Sequence, residues 1–158
     1  MNNMSAFTED KISYFFIDAL TEVISKMAGL SINVLSSETD DTFEEITAMM
    51  SLNGKNHGML FISASEKTMR TICSFMTGST KNEITINDIE DNLCELVNMT
   101  AGNAKVRTNN TELTYDLSPP FIMNGNNLSI KTKKRINVVS RILGNEEISI
   151  KLKVVFYT

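Results

Sequence analysis

The sequence predicts the α+β class: a mostly antiparallel sheet with long helices on one side, built from two similar halves. Three observations carry this. Apolar residues recur at three- and four-residue steps in three separate segments, which marks amphipathic helices. The C-terminal segment instead alternates Ile148, Ile150, Leu152, Val154 and Phe156 with Glu147, Ser149, Lys151 and Lys153, the period of a strand. A short string also repeats, EVISKMAG over residues 22–29 and ELVNMTAG over residues 95–102. Glutamate, two aliphatic residues, a small polar residue and a terminal Ala-Gly share one register, which a duplicated half-domain with pseudo-two-fold symmetry explains.

The first helix carries Ile12, Phe15, Phe16, Ala19, Leu20, Val23, Ile24 and Met27 on its apolar face, and Gly29 supplies its stop. Two strands, Ile46 to Leu52 and Met59 to Ser63, flank the turn-forming run from Asn53 to Gly58 and predict a hairpin with His57 in its tip. The second helix opens with a capping-box pattern from Ser63 to Glu66, carries Met69, Ile72, Cys73 and Met76, and ends at Gly78. The third begins near Asn87, with Glu90 placed to reach back, and buries Ile89, Leu93, Leu96, Val97, Thr100, Ala101 and Ala104. Short strands follow at Phe121 to Met123 and near Leu128 to Ile130. The chain closes on a ribbon in which Ile136, Val138 and Ile142 precede a Gly144-Asn145 turn. That ribbon is expected to have one dry face and one wet face.

Composition bounds the function. A chain of 158 residues fits one domain over residues 1–158, with residues 1–8 expected to be loose. No apolar run is long enough to span a bilayer, and the N-terminus lacks the pattern of a secretory signal, so a cytoplasmic protein is expected. A net charge of -4 argues against nucleic acid as a partner. Cys73, Cys94 and the single His57 cannot assemble a structural zinc site, and both cysteines read as reduced core residues. A loop histidine without a Ser-His-Asp or Cys-His arrangement disfavours a hydrolase of that type, and no phosphate-binding P-loop string is present.

One helix face holds chemistry. Asp88, Asp91, Asn92, Glu95, Asn98, Met99 and Gly102 lie opposite the buried stripe of the third helix, so Glu95 and Asn98, three apart, project side by side toward solvent. A carboxylate beside an amide is a water-positioning pair, or a pair that grips a lysine on a partner. The four-residue pattern alone has little weight. With 12 Glu and 17 Asn, Glu-x-x-Asn is expected about once by chance, and it occurs once.

The longer string is more specific. Asp88-x-x-Asp91-Asn92-Leu93-x-Glu95-Leu96-Val97-Asn98-Met99-x-Ala101-Gly102-Asn103-Ala104 resembles the signature helix of the CheC/CheX/FliY family of chemotaxis phosphatases, Glu-x-x-Asn followed by Gly-Asn and then a proline. Pro119 and Pro120 stand near the required distance, with twenty-one residues between Asn98 and Pro120. Phe121-Ile122-Met123-Asn124-Gly125 is similar to the family's continuation. Segments of the first helix and of the hairpin also resemble family members, so the likeness covers roughly residues 10 to 157. Family members carry two copies of the motif or one. Here Ser25 replaces the asparagine after Glu22, and a serine is too short to hold water at the same point. The first helix therefore reads as a lapsed site and the third as the working one, as in the CheX-like branch.

The resemblance implies a phosphatase that hydrolyses the aspartyl phosphate of a phosphorylated CheY-type receiver, ending a chemotaxis signal. Asn98 would orient the attacking water and Glu95 would pair with the receiver's lysine. Gly102, Asn103 and one of Pro119 or Pro120 would support the motif by shaping the helix end, its packing and the bordering loop. No cofactor of its own is implied, because the Mg²⁺ travels with the receiver. It also implies a homodimer through sheet edges, for which the ribbon over 136–157 is a candidate. The alternatives are a binding module of the same fold that no longer hydrolyses, or a dimerising domain without a receiver partner. The basic run Lys131, Lys133, Lys134 and Arg135 reads either as a solvated turn or as a docking patch for an acidic surface.

Overall fold

The computed structural model describes residues 8–37, 41–131 and 136–157. The chain runs α1 (Glu9–Ala28), β1 (Asn33–Ser37), β2 (Ile46–Gly54), β3 (His57–Ala64), α2 (Glu66–Thr77), α3 (Ile86–Thr108), β4 (Tyr115–Leu117), β5 (Phe121–Asn124), β6 (Ile136–Gly144) and β7 (Ser149–Tyr157). Among the described residues, seven strands form one sheet in the order β1-β6-β7-β3-β2-β4, with β5 also paired to β2. Every strand pair is antiparallel.

That order shows the duplication. Exchanging β2 with β6, β3 with β7, and β1 with the β4–β5 segment reverses the order and leaves it otherwise unchanged. The pseudo-two-fold axis thus passes between β3 and β7, which pair from His57↔Tyr157 to Ala64↔Ile150. Each half lends its short strand to the other's hairpin: β1 pairs with β6, and β4 and β5 pair with β2.

The helices cover one face of the sheet. Phe16, Leu20, Ile72, Leu93 and Val97 pack on Ala48, Met50, Leu52, Leu60, Ile62, Ile150, Leu152 and Val154, all fully buried. The period-2 alternation sends the intervening strand residues to the far face, and there the expectation of a wet surface fails. Phe61 and Val155 are buried with Phe43, and Met49, Met59, Met123, Leu128, Ile130 and Val138 pack around them. The segment preceding β2 lies across this face. Phe43 stacks on Phe61, with ring centroids 5.1 Å apart. Lys153 is 6% exposed, with Nζ 2.9 Å from Asp41 Oδ1. Lys151 Nζ donates to the Thr42 carbonyl at 3.2 Å. The alternating lysines are therefore covered by a strap of opposite charge rather than by water.

Helix ends follow local chemistry, with two differences from the sequence reading. Gly29 and Gly78 both take positive φ, 66° and 74°, and close α1 and α2 as expected. Helix α2 is capped by Ser65, whose side chain accepts from the Thr68 N–H, because Ser63 is committed to β3 and bonds to Thr47 Oγ1 and the Glu44 N–H. Helix α3 starts one residue before Asn87, at Ile86. Thr85 is its N-cap and Asp88 completes the capping box, with Asp88 Oδ2 2.7 Å from the Thr85 N–H. His57 begins β3 instead of sitting in the turn, and it stacks on Tyr157. Leu128 to Ile130 form no strand, only an isolated bridge between Ser129 and Thr42. The ribbon over 136–157 is no edge: β6 lies between β1 and β7, and β7 between β6 and β3. Among the described residues, the open edges belong to β1 and to the β4–β5 segment. Residues 1–7 and the basic residues 133–135 lie outside the described residues, whereas Lys131 is described and exposed.

Candidate functional site

The apolar stripe predicted for α3 is buried throughout, from Ile89 to Ala104, which fixes its other face outward. Glu95 and Asn98 stand exposed on that face, and neither side chain has a hydrogen-bond or ion-pair partner among the described residues. Asp91 and Met99 are exposed beside them. Asn92 departs from the expected face. It is half-buried, donates to the Asp88 carbonyl at 2.8 Å and reaches Cys73 on α2.

Helix α3 is anchored on every other side. Tyr115 of β4 is 1% exposed and its hydroxyl donates to the Ala101 carbonyl at 2.8 Å. Burial pushes this phenol above its ordinary range, so it stays a neutral donor. Lys105 pairs with Asp116 of β4 at 2.9 Å, and Asn124 of β5 donates to Glu90 Oε1 at 2.7 Å. The segment carrying Pro119 and Pro120 is therefore tied to α3 at both ends. It is tied to β2 as well, since Ser51 N–H donates to Ser118 Oγ at 2.8 Å.

The two motif-supporting residues differ in what they do. Gly102 does not end the helix: α3 runs on to Thr108, and a Cβ at Gly102 would meet nothing within 4 Å. Asn103 ties α3 to α1. Its Nδ2 donates to Glu22 Oε2 at 3.2 Å, and its Oδ1 accepts from Arg107 Nε at 2.8 Å. Arg107 also donates to Asp18 and to Glu22. Sequence reasoning missed Arg107, although its i+4 spacing from Asn103 placed both on one face.

At the first motif, Glu22 accepts from Lys26 Nζ at 2.5 Å as well as from Asn103 and Arg107. The Lys26 hydrogen bond, the Asn103 amide, the Lys26 charge and Arg107 hold its carboxyl at about 2, against an ordinary 4.5. Ser25 beside it is exposed. Cys73 is buried and its thiol is pushed up to about 11 by that burial, which leaves it no thiolate near neutral pH. Cys94 is half-buried rather than a core residue. Burial and then the charges of Asp91 and Glu90 raise its thiol too. Among the described residues, no group of three or more His, Cys, Asp or Glu is placed to hold a metal ion. Nor is any described helix long and apolar enough to cross a membrane.

Comparison with known proteins adds the context of the fold. Residues 46–142 match the family described as chemotaxis phosphatase CheX. The structure is similar to the crystal structure of the chemotaxis protein CheX from Vibrio vulnificus, with a TM-score of 0.81 and 18% identity over 93% of this chain and 99% of that one. It is also similar to a chemotactic CheC-like protein from Shewanella oneidensis, with a TM-score of 0.77 and 21% identity over 95% of this chain and 100% of that one. A third is the CheX of a CheX–CheY–BeF₃–Mg²⁺ complex from Borrelia burgdorferi, with a TM-score of 0.71 and 16% identity over 92% of this chain and 97% of that one. No curated protein matches the chain in sequence.

Proposed function

The chain belongs to the CheX family of chemotaxis phosphatases, and on that premise we propose that it hydrolyses the aspartyl phosphate of a CheY-type receiver. The observation that carries this reading is the pair on α3: a carboxylate and an amide, adjacent, exposed and uncommitted within the described chain. The CheX–CheY–BeF₃–Mg²⁺ complex of the Borrelia relative supports a receiver as partner, with beryllofluoride standing in for the phosphoryl group.

Asn98 enters the receiver's site and its side-chain amide holds a water in line with the phosphorus. Water attacks, the bond between phosphorus and the receiver's carboxylate oxygen breaks, and phosphate and a free carboxylate leave. A good leaving group and a loose transition state make this chiefly a matter of positioning. Glu95 pairs with a lysine of the receiver and sets the docking register. The Mg²⁺ belongs to the receiver, and the protein contributes no cofactor. Residues 1–158 act as one domain in the cytoplasm, as a homodimer joined at a sheet edge. The open edge at β1 suits that role, since Val34 and Leu35 there are 45% and 53% exposed.

The test is the decay of a phosphorylated CheY-type receiver alone, with the protein, and with its Asn98→Ala variant, with binding measured for both. The wild type is expected to speed decay. The variant should bind as well yet lose about 100-fold of the acceleration. A variant that hydrolyses normally removes Asn98 from the chemistry. A wild type that binds the receiver without speeding its decay makes the chain a binding module of the same fold.

A further inference from the structure

The receiver reading assigns roles to Glu95 and Asn98 and a supporting place to Asn103, but none to Arg107 and Glu22, which meet Asn103 on the opposite flank of α3. There Arg107 uses all three guanidinium nitrogens: Nε on Asn103 Oδ1, one terminal nitrogen on Asp18 and the other on Glu22. Asn103 Nδ2 closes the ring on Glu22 Oε2. Arg107 is 27% exposed, and ion pairs at such exposure contribute little to stability. The apolar stripe of α3 already holds the helix on the sheet. Apolar packing is non-directional, though: it fixes which face of α3 points outward without fixing the roll to within a few degrees. A planar guanidinium forked across two carboxylates does fix the roll.

We infer that Arg107, Asn103 and Glu22 form a clamp that sets the roll of α3 and so positions Asn98 for the receiver, an inference that rests on the proposed phosphatase activity. Asn98 lies about 7.5 Å along the axis from Asn103. A roll of about 10° moves an outward side chain some 6 Å from the axis by about 1 Å. A misplacement of that size costs up to about 100-fold in a reaction that depends on positioning. The glutamate of the lapsed motif thus serves the working one. It is a positioning residue that touches neither water nor receiver.

The experiment compares kcat and KM on the phosphorylated receiver, with denaturant stability, for the wild type, Arg107→Lys, Asn103→Ala and Ile150→Val. Arg107→Lys keeps the charge and loses the fork. Ile150→Val trims a buried residue of β7 that takes no part in the clamp's hydrogen bonds and controls for stability. Both clamp variants are expected to lower kcat at least about fivefold with KM held within about twofold, while Ile150→Val keeps wild-type kcat. Clamp variants with wild-type kcat, or a fall in kcat that follows stability loss across all three, would overturn the inference and leave the phosphatase reading standing. A wild type without activity would overturn both.

Discussion

Helices α1 and α3 carry similar short strings in the same register, yet they present opposite situations to solvent. Glu95 and Asn98 of α3 stand open, whereas Glu22 of α1 is gripped by Lys26, Asn103 and Arg107. Two differences cause this: α1 has Lys26 one turn after Glu22 where α3 has Met99, and the two helices stop at different places. At Gly29 the backbone turns left-handed and α1 ends, but the corresponding Gly102 is helical and α3 continues to Thr108. Those added turns supply Asn103 and Arg107, which reach Glu22. Helix α1 ends too soon to supply counterparts that would reach Glu95. Duplication made the halves alike, and one lysine and one helix terminus made them unequal.

The largest expected effect comes from giving α3 the residue that α1 has. Asn98→Ser should lower kcat on the phosphorylated receiver by about 100-fold without weakening binding, because the hydroxyl is too short to hold the water in line. Glu95→Ala should act on docking instead, raising KM by about tenfold and leaving kcat near wild type. Steady-state kinetics at two salt concentrations separates the two. Tyr115→Phe removes the buried hydrogen bond to the Ala101 carbonyl and should cost about 1 kcal/mol in urea unfolding.

Glu22→Gln tests the closed side of the comparison. The carboxyl titrates lower in the folded chain than in the unfolded one, so the unfolded state binds more protons in that range. Its contribution is complete above about pH 4.5 and is lost as the pH falls toward about 2. The variant should therefore show a shallower loss of stability across that window. Glu83 and Asp88, also lowered by Thr80 and Thr85, keep part of the slope. Smallest of all is the effect of Ser25→Asn. It rebuilds the first motif in letters, but with Glu22 clamped it should change activity by less than about twofold. A clear gain would show that the clamp opens readily and that the two helices are more alike than their contacts suggest.

How much of this was legible in the sequence depends on whether a feature is local. The buried stripe of α3 and the stops at Gly29 and Gly78 follow from periodicity and backbone freedom, and both were readable. The outward direction of Glu95 and Asn98 came with the stripe. The cap of α3 was misplaced because Asn87 with Glu90 and Thr85 with Asp88 are equally good capping boxes on paper, and only Thr85 has the extended backbone of an N-cap. Strand β1 escaped notice because all five of its residues are exposed, so it has no alternating pattern to read. The dry far face of β7 was hidden because Asp41 and Phe43, more than a hundred residues away in sequence, are what cover Lys153 and Val155. The clamp failed to appear for the same reason: Arg107 and Glu22 are 85 residues apart.

Amide hydrogen exchange with a beryllofluoride-activated receiver tests the central claim, that α3 alone is the working face. On binding, protection is predicted over residues 91–102 of α3 and not over residues 18–29 of α1. Equal protection of both helices, or protection of α1 alone, would contradict it.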